Sequence, residues 1–275
     1  MIRERFSSIW GQLAPILRHN GLTDAQVQDM EGRLLRKMEQ ESPPTIALIG
    51  FTGVGKSSTL NALFNAGQPT SDVRACTQDA KAFTGLLRSY TGNKGVVNIY
   101  DMPGLGESIV ADRKHYRTYE RILPSADVVV WTFHAGDRAM TPMQTAIETL
   151  INRIGDGFTK HLVFAINKAD AIAPGETAWN TRLNTPSKEQ LENIKELEEY
   201  VCEKVHDVLP GWKGDIVSYS AKRRYHLEQL MTAMVSAMPR ERQWVLNELA
   251  DVADYTEFID RKYQEYVKSL LNNQR

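Results

Sequence analysis

Apolar residues fall along this chain in two rhythms. Short runs centred on Ile46 to Ile49, Val96 to Tyr100, Asp127 to His134, His161 to Ile166 and Asp215 to Val217 are too short for helices, and most are too apolar for half-exposed strands. They predict strands buried on both faces of a parallel sheet. Between them, apolar positions recur three or four apart over Ser58 to Phe64, Tyr116 to Ile122, Pro142 to Ile154 and a charged stretch from Lys188 to about Val208, which predicts helices. Ala82 to Tyr90 reads as an edge strand, turned by Thr91 to Gly95 into the strand that ends at Asp101. Strands alternating with helices in this order predict an α/β domain with a mostly parallel six-stranded sheet.

Helical periodicity dominates both ends. Ile2, Phe6, Ile9, Leu13 and Leu17 lie on one stripe, with Pro15 as an expected kink or boundary. After Asn20-Gly21, Thr23 and Gln26 form a capping-box pattern that starts a second helix with Val27, Met30, Leu34 and Met38 along one face, ended by Pro43-Pro44. Pro239 closes the last helix of the α/β domain, and Val245, Leu249, Val252, Ile259, Tyr263, Tyr266 and Leu270 draw a third stripe beyond it. These stripes need cover and can supply it to one another. The expected organisation is an N-terminal helical segment over 1–42, an α/β domain over 44–238 and a C-terminal helical segment over 240–275 that packs with the first into a small subdomain.

Composition narrows the setting. The chain has 275 residues, enough for one substantial core, and its net charge of −1 leaves no general basic surface for nucleic acid or anionic lipid. The strand around Val128 to Trp131 soon meets His134 and Asp137, and the N-terminal apolar stretch is broken by charges, Gly11 and Pro15, so neither a membrane span nor a secretory signal is expected. Its 2 cysteines, Cys76 and Cys202, imply no disulfide framework or metal site and fit a reducing cytoplasm.

Chemistry enters at the ends of the predicted strands. Gly50 to Ser57 reads Gly-Phe-Thr-Gly-Val-Gly-Lys-Ser, a phosphate-binding loop of the form GxxxxGK[ST] set between a strand and a helix. Its glycines let the backbone fold closely around a phosphate, so that successive N–H groups and the helix end point at it. The candidate contacts are Gly50, Thr52, Gly53, Val54, Gly55, Lys56, Ser57 and Ser58, with Lys56 as a charge for the β and γ phosphates and the Ser57 hydroxyl as a ligand for Mg²⁺. Asp101-Met102-Pro103-Gly104 places a carboxylate near the metal and the Gly104 N–H near a γ-phosphate. Asn167-Lys168-Ala169-Asp170 follows another strand. A carboxylate there accepts from the N1–H and 2-amino group of guanine, a donor pair that adenine lacks. Ser220-Ala221-Lys222 follows Asp215 to Val217 and would bring the Ala221 N–H to the guanine O6.

Taken together, Gly50 to Ser57, Asp101 to Gly104, Asn167 to Asp170 and Ser220 to Lys222 resemble the first, third, fourth and fifth motifs of the translation-factor-related GTP-binding proteins. The likeness is strongest to the branch of Era, Der and TrmE and looser to immunity-related GTPases, and it covers about residues 44 to 238. It implies Mg²⁺-dependent hydrolysis of GTP to GDP, with Lys56, Gly104 and a threonine of the second motif in catalytic roles. Thr77 is the choice for that threonine, with Thr70 as the alternative, and Ser57, Thr77 and Asp101 would hold the metal. One departure concerns the water: Ras-like proteins carry glutamine after DxxG, and this chain has Leu105. Gly53 stands where potassium-dependent members have asparagine. Glu107, Asp112 and Arg74 are candidate substitutes in the mobile loops. The resemblance thus implies slow intrinsic turnover, a nucleotide-dependent switch, a homodimer through the nucleotide face or an effector protein as activator, and, as the competing class, an assembly or adaptor protein with negligible turnover. Ala171 to Ser187, a long polar loop, would cover the guanine, contact a partner or be an inert insertion.

Overall fold

A computed structural model describes residues 2–19, 21–40, 43–64, 80–88, 94–239 and 242. Two units are distinguished, one made of Pro44–Tyr90 and Val96–Pro239 and the other containing Met1–Pro43. The larger is built on six strands: β1 (Thr45–Gly50), β2 (Lys81–Arg88), β3 (Lys94–Asp101), β4 (Val128–His134), β5 (Leu162–Asn167) and β6 (Ile216–Ser218). They form a single sheet in the order β2-β3-β1-β4-β5-β6, and the pairs β1/β3, β1/β4, β4/β5 and β5/β6 are parallel. The order changes direction at β1, which lies between β3 and β4. In parallel sheets a crevice opens at such a point, outside the carboxyl ends of the strands.

Alternation along each strand divides the core in two. Ala47, Ile49, Val129, Trp131, Phe133, Phe164 and Ile166 pack with Tyr119 of α4 (Ile109–Ile122), Ile147 and Leu150 of α5 (Thr141–Ile154), and Leu197 and Val201 of α6 (Lys188–His206). Phe133 stacks on Phe164 at 5.7 Å, and Phe164 meets Trp212 edge-on at 5.0 Å. The intervening residues, such as Leu48, Val128, Val130 and Val163, are fully buried. They face α3 (Lys56–Phe64) and α7 (Leu227–Ala237), which lie against β1, β4 and β5.

One predicted boundary moves and another holds. α4 begins at Ile109 rather than near Tyr116, because Ser108 caps it by accepting from the Ala111 N–H at 3.1 Å. Its first apolar residues, Ile109 and Val110, point into solvent at 76% and 78% exposure, so the periodicity that marks the helix begins only later. α6 begins at Lys188 with a capping box between Ser187 and Gln190.

The smaller unit shows α1 (Ile2–His19) and α2 (Asp24–Gln40) packed on each other. Pro15 lies inside α1 without ending it. Leu13, Ala14 and Leu17 are buried on either side of it, and this packing compensates the hydrogen bond that proline removes. The Thr23 and Gln26 capping box forms, with the Thr23 N–H donating to Gln26 Oε1 at 2.9 Å. Trp10, Val27 and Met30 complete the buried face. The side chains of Leu34 and Met38, the turn at 91–93, and the C-terminal stripe from Val245 to Leu270 lie outside the described residues. No helix of the described residues is long and apolar enough to cross a membrane.

Candidate nucleotide-binding site

The crevice beside β1 gathers the four motifs. Gly50 ends β1, and the loop that follows leads straight into α3 at Lys56. Asn167 ties three of the segments together. Its Nδ2 donates to the Val54 carbonyl at 3.0 Å, while its Oδ1 accepts from the Lys168 N–H at 2.8 Å and the Ala221 N–H at 3.1 Å. Gly55 has φ +94°, and a Cβ there would stand 2.3 Å from Asn167 Nδ2, so only glycine lets this loop and the fourth motif meet. Lys168 holds a left-handed backbone and reaches the Gly53 carbonyl at 3.5 Å.

At the phosphate end, Lys56 Nζ donates to the Phe51 carbonyl at 2.9 Å and the Gly50 carbonyl at 3.2 Å. Burial holds its ammonium down at about 8, with Asp101 pulling the other way. A buried ammonium held by two carbonyl dipoles is suited to meeting an anion. Ser57 Oγ donates to Asp101 Oδ2 at 2.7 Å, with Asp101 fully buried at the end of β3. An alcohol and a carboxylate are hard oxygen donors side by side, so the residues present fit Mg²⁺. Thr77 and Thr70, and with them the third proposed ligand, lie outside the described residues, as does Arg74.

The third motif is stitched to the phosphate loop. The Thr52 N–H donates to the Leu105 carbonyl at 2.9 Å, and the Leu105 N–H to the Gly50 carbonyl at 3.1 Å. Gly104 is buried where a Cβ would stand 2.6 to 2.8 Å from Thr52 Oγ1, Cα and N. Leu105 itself is 1% exposed and belongs to the core with Trp131. Of the substitutes for glutamine, Asp112 accepts from the Gly106 N–H at 2.9 and 3.2 Å, and Glu107 is exposed. Tyr119 joins α4 to this region by donating to the Pro103 carbonyl at 2.7 Å; burial pushes its hydroxyl pKa far up.

At the far end lies a cleft of about 640 Å³, lined by Ser58, Asn167, Lys168, Asp170, Ala221 and Lys222 among others. Asp170 is 1% exposed, and among the described residues neither carboxylate oxygen accepts a hydrogen bond. A buried carboxylate with both oxygens unfilled at the wall of a cleft is an acceptor pair awaiting two donors. Ser220 is fully buried and shapes the fifth-motif loop by accepting the Arg223 N–H at 3.0 Å.

The family model described as 50S ribosome-binding GTPase matches residues 45–168. Uncharacterized protein YkfA of Escherichia coli (strain K12) is 32% identical over 213 residues, covering 76% of this chain and 68% of that protein. The chain belongs to the P-loop GTPase family. Among solved structures, this P-loop GTPase is similar to Era of Aquifex aeolicus bound to GDP.AlF4⁻, with a TM-score of 0.51 and 22% identity over 72% of this chain and 58% of that one. It is also similar to Toc33 of Arabidopsis thaliana in complex with GDP and Mg²⁺, with a TM-score of 0.55 and 15% identity over 78% and 93%. These identities speak for the fold alone.

The P-loop GTPase motifs were legible residue by residue, whereas one supporting residue was not. Gln190 is fully buried, and its Nε2 donates to the carbonyls of Asp170, Ile172 and Gly175 at 3.2, 3.3 and 3.1 Å. Nothing local in the sequence announces these three bonds.

Proposed function

We propose that this protein binds GTP and hydrolyses it to GDP and phosphate, acting as a switch between two loop arrangements. The observation that carries the reading is the Asp170 carboxylate, buried in the cleft wall with neither oxygen accepting a hydrogen bond among the described residues. Guanine presents N1–H and the 2-amino group side by side and fills both; adenine leaves a buried charge unpaired. Lys56 then gives up its carbonyl partners for the β and γ phosphates and carries the developing charge. The Gly104 N–H meets the γ-phosphate, and its loss on hydrolysis frees the third-motif loop. Ser57 and Asp101, with Thr77, would hold Mg²⁺, which when bound neutralises phosphate charge.

The buried Leu105 cannot direct a water, which supports slow turnover by the lone protein and activation by a homodimer across the nucleotide face or by an effector. The same residue keeps the second reading in play, a guanine-nucleotide-dependent assembly or adaptor protein. The free thiol of Cys202 and the modest charge support a cytoplasmic setting. Phosphate release measured against protein concentration separates the readings. A rate per molecule that climbs with concentration supports the enzyme, and tight GTP binding with no release at any concentration supports the adaptor. Calorimetry with GTP and ATP tests the base assignment: Asp170→Asn should lose the preference for GTP, and a variant that keeps it defeats the assignment.

A further inference from the structure

The insertion at 171–187 is fastened to the fifth-motif loop on one side and to α6 on the other. Trp179 is buried edge-on against Tyr225 with ring centroids 5.0 Å apart, and its Nε1 donates to Asn184 Oδ1 at 3.2 Å. Asn184 Nδ2 donates onward to the Arg223 carbonyl at 2.9 Å. From behind, Gln190 pins the carbonyls of Ile172 and Gly175 to that of Asp170. Glu176 is thereby held at the rim of the base cleft, where its Oε2 pairs with Lys222 Nζ at 2.5 Å and stands 3.8 Å from Arg223 Nη2. Arg223 Nε in turn stands 3.6 Å from Asp170 Oδ2.

Charges therefore alternate along a line, Asp170, Arg223, Glu176, Lys222, with side-chain exposures of 2%, 27%, 44% and 61%. The inner end is costly alone, because a desolvated carboxylate without hydrogen bonds is stable only with a nearby cation. Arg223 supplies that cation at a distance too long for a hydrogen bond, so it offsets the burial of Asp170 without occupying its acceptor positions. A lone arginine in a loop would swing into water, and Glu176 opposes this from the insertion.

We propose that Arg223 is a positioning residue for guanine recognition and that Glu176 holds it in place, so that the insertion at 171–187 sets the selectivity for the guanine 2-amino group and the rate of nucleotide release. This rests on Asp170 as the base acceptor. The recognition of two donors requires the carboxylate to stay fixed in the cleft wall. With Arg223 gone, it turns toward water and keeps one donor at best.

The test uses the full chain and compares GDP with IDP, which lacks the 2-amino group, in affinity and in release of a fluorescent GDP analogue. Arg223→Gln should weaken GDP binding roughly tenfold, while IDP binding changes less, so the preference for GDP narrows. Arg223→Lys should keep most of the preference, since the cation remains while its planar fork is lost. Glu176→Gln should speed GDP release by about two- to threefold, as befits a half-exposed pair. The proposal is overturned if Arg223→Gln weakens GDP and IDP equally or neither, the pattern of a merely structural role. Should Arg223→Gln fail to fold, Glu176→Gln decides, and wild-type GDP release in it overturns the proposal. Asp170→Asn keeps the two layers apart. If it leaves the preference for GDP over ADP untouched, the base assignment itself fails; if it abolishes that preference while Arg223→Gln behaves like wild type, only the role of Arg223 falls.

Discussion

Replacing Lys56 by methionine should make the nucleotide-free protein more stable, and the size of the effect follows from where the ammonium sits. The residue is 7% exposed, and its pKa is brought from 10.5 to about 8, mainly by burial. That difference corresponds to a penalty of about 3 kcal/mol on the charged form at pH 7. Methionine fills similar space without the charge but removes donors from the Gly50 and Phe51 carbonyls, a loss of about 1 kcal/mol each. Leu105 still donates to the Gly50 carbonyl, which softens the loss. Lys56→Met should therefore be about 1–2 kcal/mol more stable than wild type at pH 7. The sign of the pH dependence is fixed. Between about 8 and 10.5 the unfolded lysine holds its proton and the folded one has lost it, so the wild type gains stability as pH rises through that window while Lys56→Met does not. By pH 9.5 the gap between the two proteins should shift in favour of wild type by about 2 kcal/mol. Urea titrations of both proteins in EDTA, without nucleotide, measure this directly, since other titrating groups cancel in the difference. A Lys56→Met protein less stable than wild type at pH 7, or a difference that is the same at both pH values, would show that the lysine is not strained by burial and refute the reasoning.

Three further outcomes follow from the same geometry. Tyr119→Phe leaves the Pro103 carbonyl without its buried donor and should cost about 1–2 kcal/mol in urea unfolding, with a change near zero counting against the bond. Gly104→Ala drives a Cβ into the Thr52 backbone, so GTP affinity should fall further than GDP affinity if, as proposed, the shifted N–H meets the γ-phosphate; equal losses would place the defect elsewhere. Gln190→Ala removes one amide that serves three carbonyls and should cost about 2–3 kcal/mol and hasten proteolysis within 171–187, whereas an unchanged cleavage pattern would mean the insertion is held by other contacts.

The phosphate and guanine motifs could be read from sequence because their chemistry fixes residue type and spacing over a few positions. Gly50 to Ser57 and Asn167 to Asp170 are local patterns, and the apolar runs before them have one outcome, a strand buried on both faces. Contacts between distant segments left no such trace. Thr59 Oγ1 and the Tyr219 hydroxyl meet at 2.6 Å inside the domain across 160 positions, and each alone looks like an ordinary helix or strand residue. Gln190 looked like one polar residue in a charged helix, since the carbonyls it serves come together only when the insertion folds. Periodicity hides the first turns of α4, because Ile109 and Val110 are exposed and only the Ser108 cap marks its start. In the sequence Arg223 is only a basic residue next to the fifth motif, and its value depends on Asp170 lying 53 residues earlier in the chain and 3.6 Å away.

Leu105 bears on the reaction more through its backbone than through its side chain. Its N–H and carbonyl join Gly50 and Thr52, and its side chain is locked in the core beside Trp131. Bringing any group from this position to the γ-phosphate would break two hydrogen bonds and expose a buried leucine, at a cost of several kcal/mol. Leu105→Gln should therefore destabilise the domain without raising turnover, since the new amide would be pulled inward by the same backbone bonds. Asp112 is no ready substitute, because its carboxylate already holds the Gly106 N–H. The strut that fixes the third motif to the phosphate loop is thus built from backbone hydrogen bonds of Leu105 to Gly50 and Thr52, and the leucine side chain takes no part in directing water. In such an arrangement binding and turnover are separable. On the proposed function, guanine selection and triphosphate binding rest on resident residues, and the rate of the chemical step reports what completes the site.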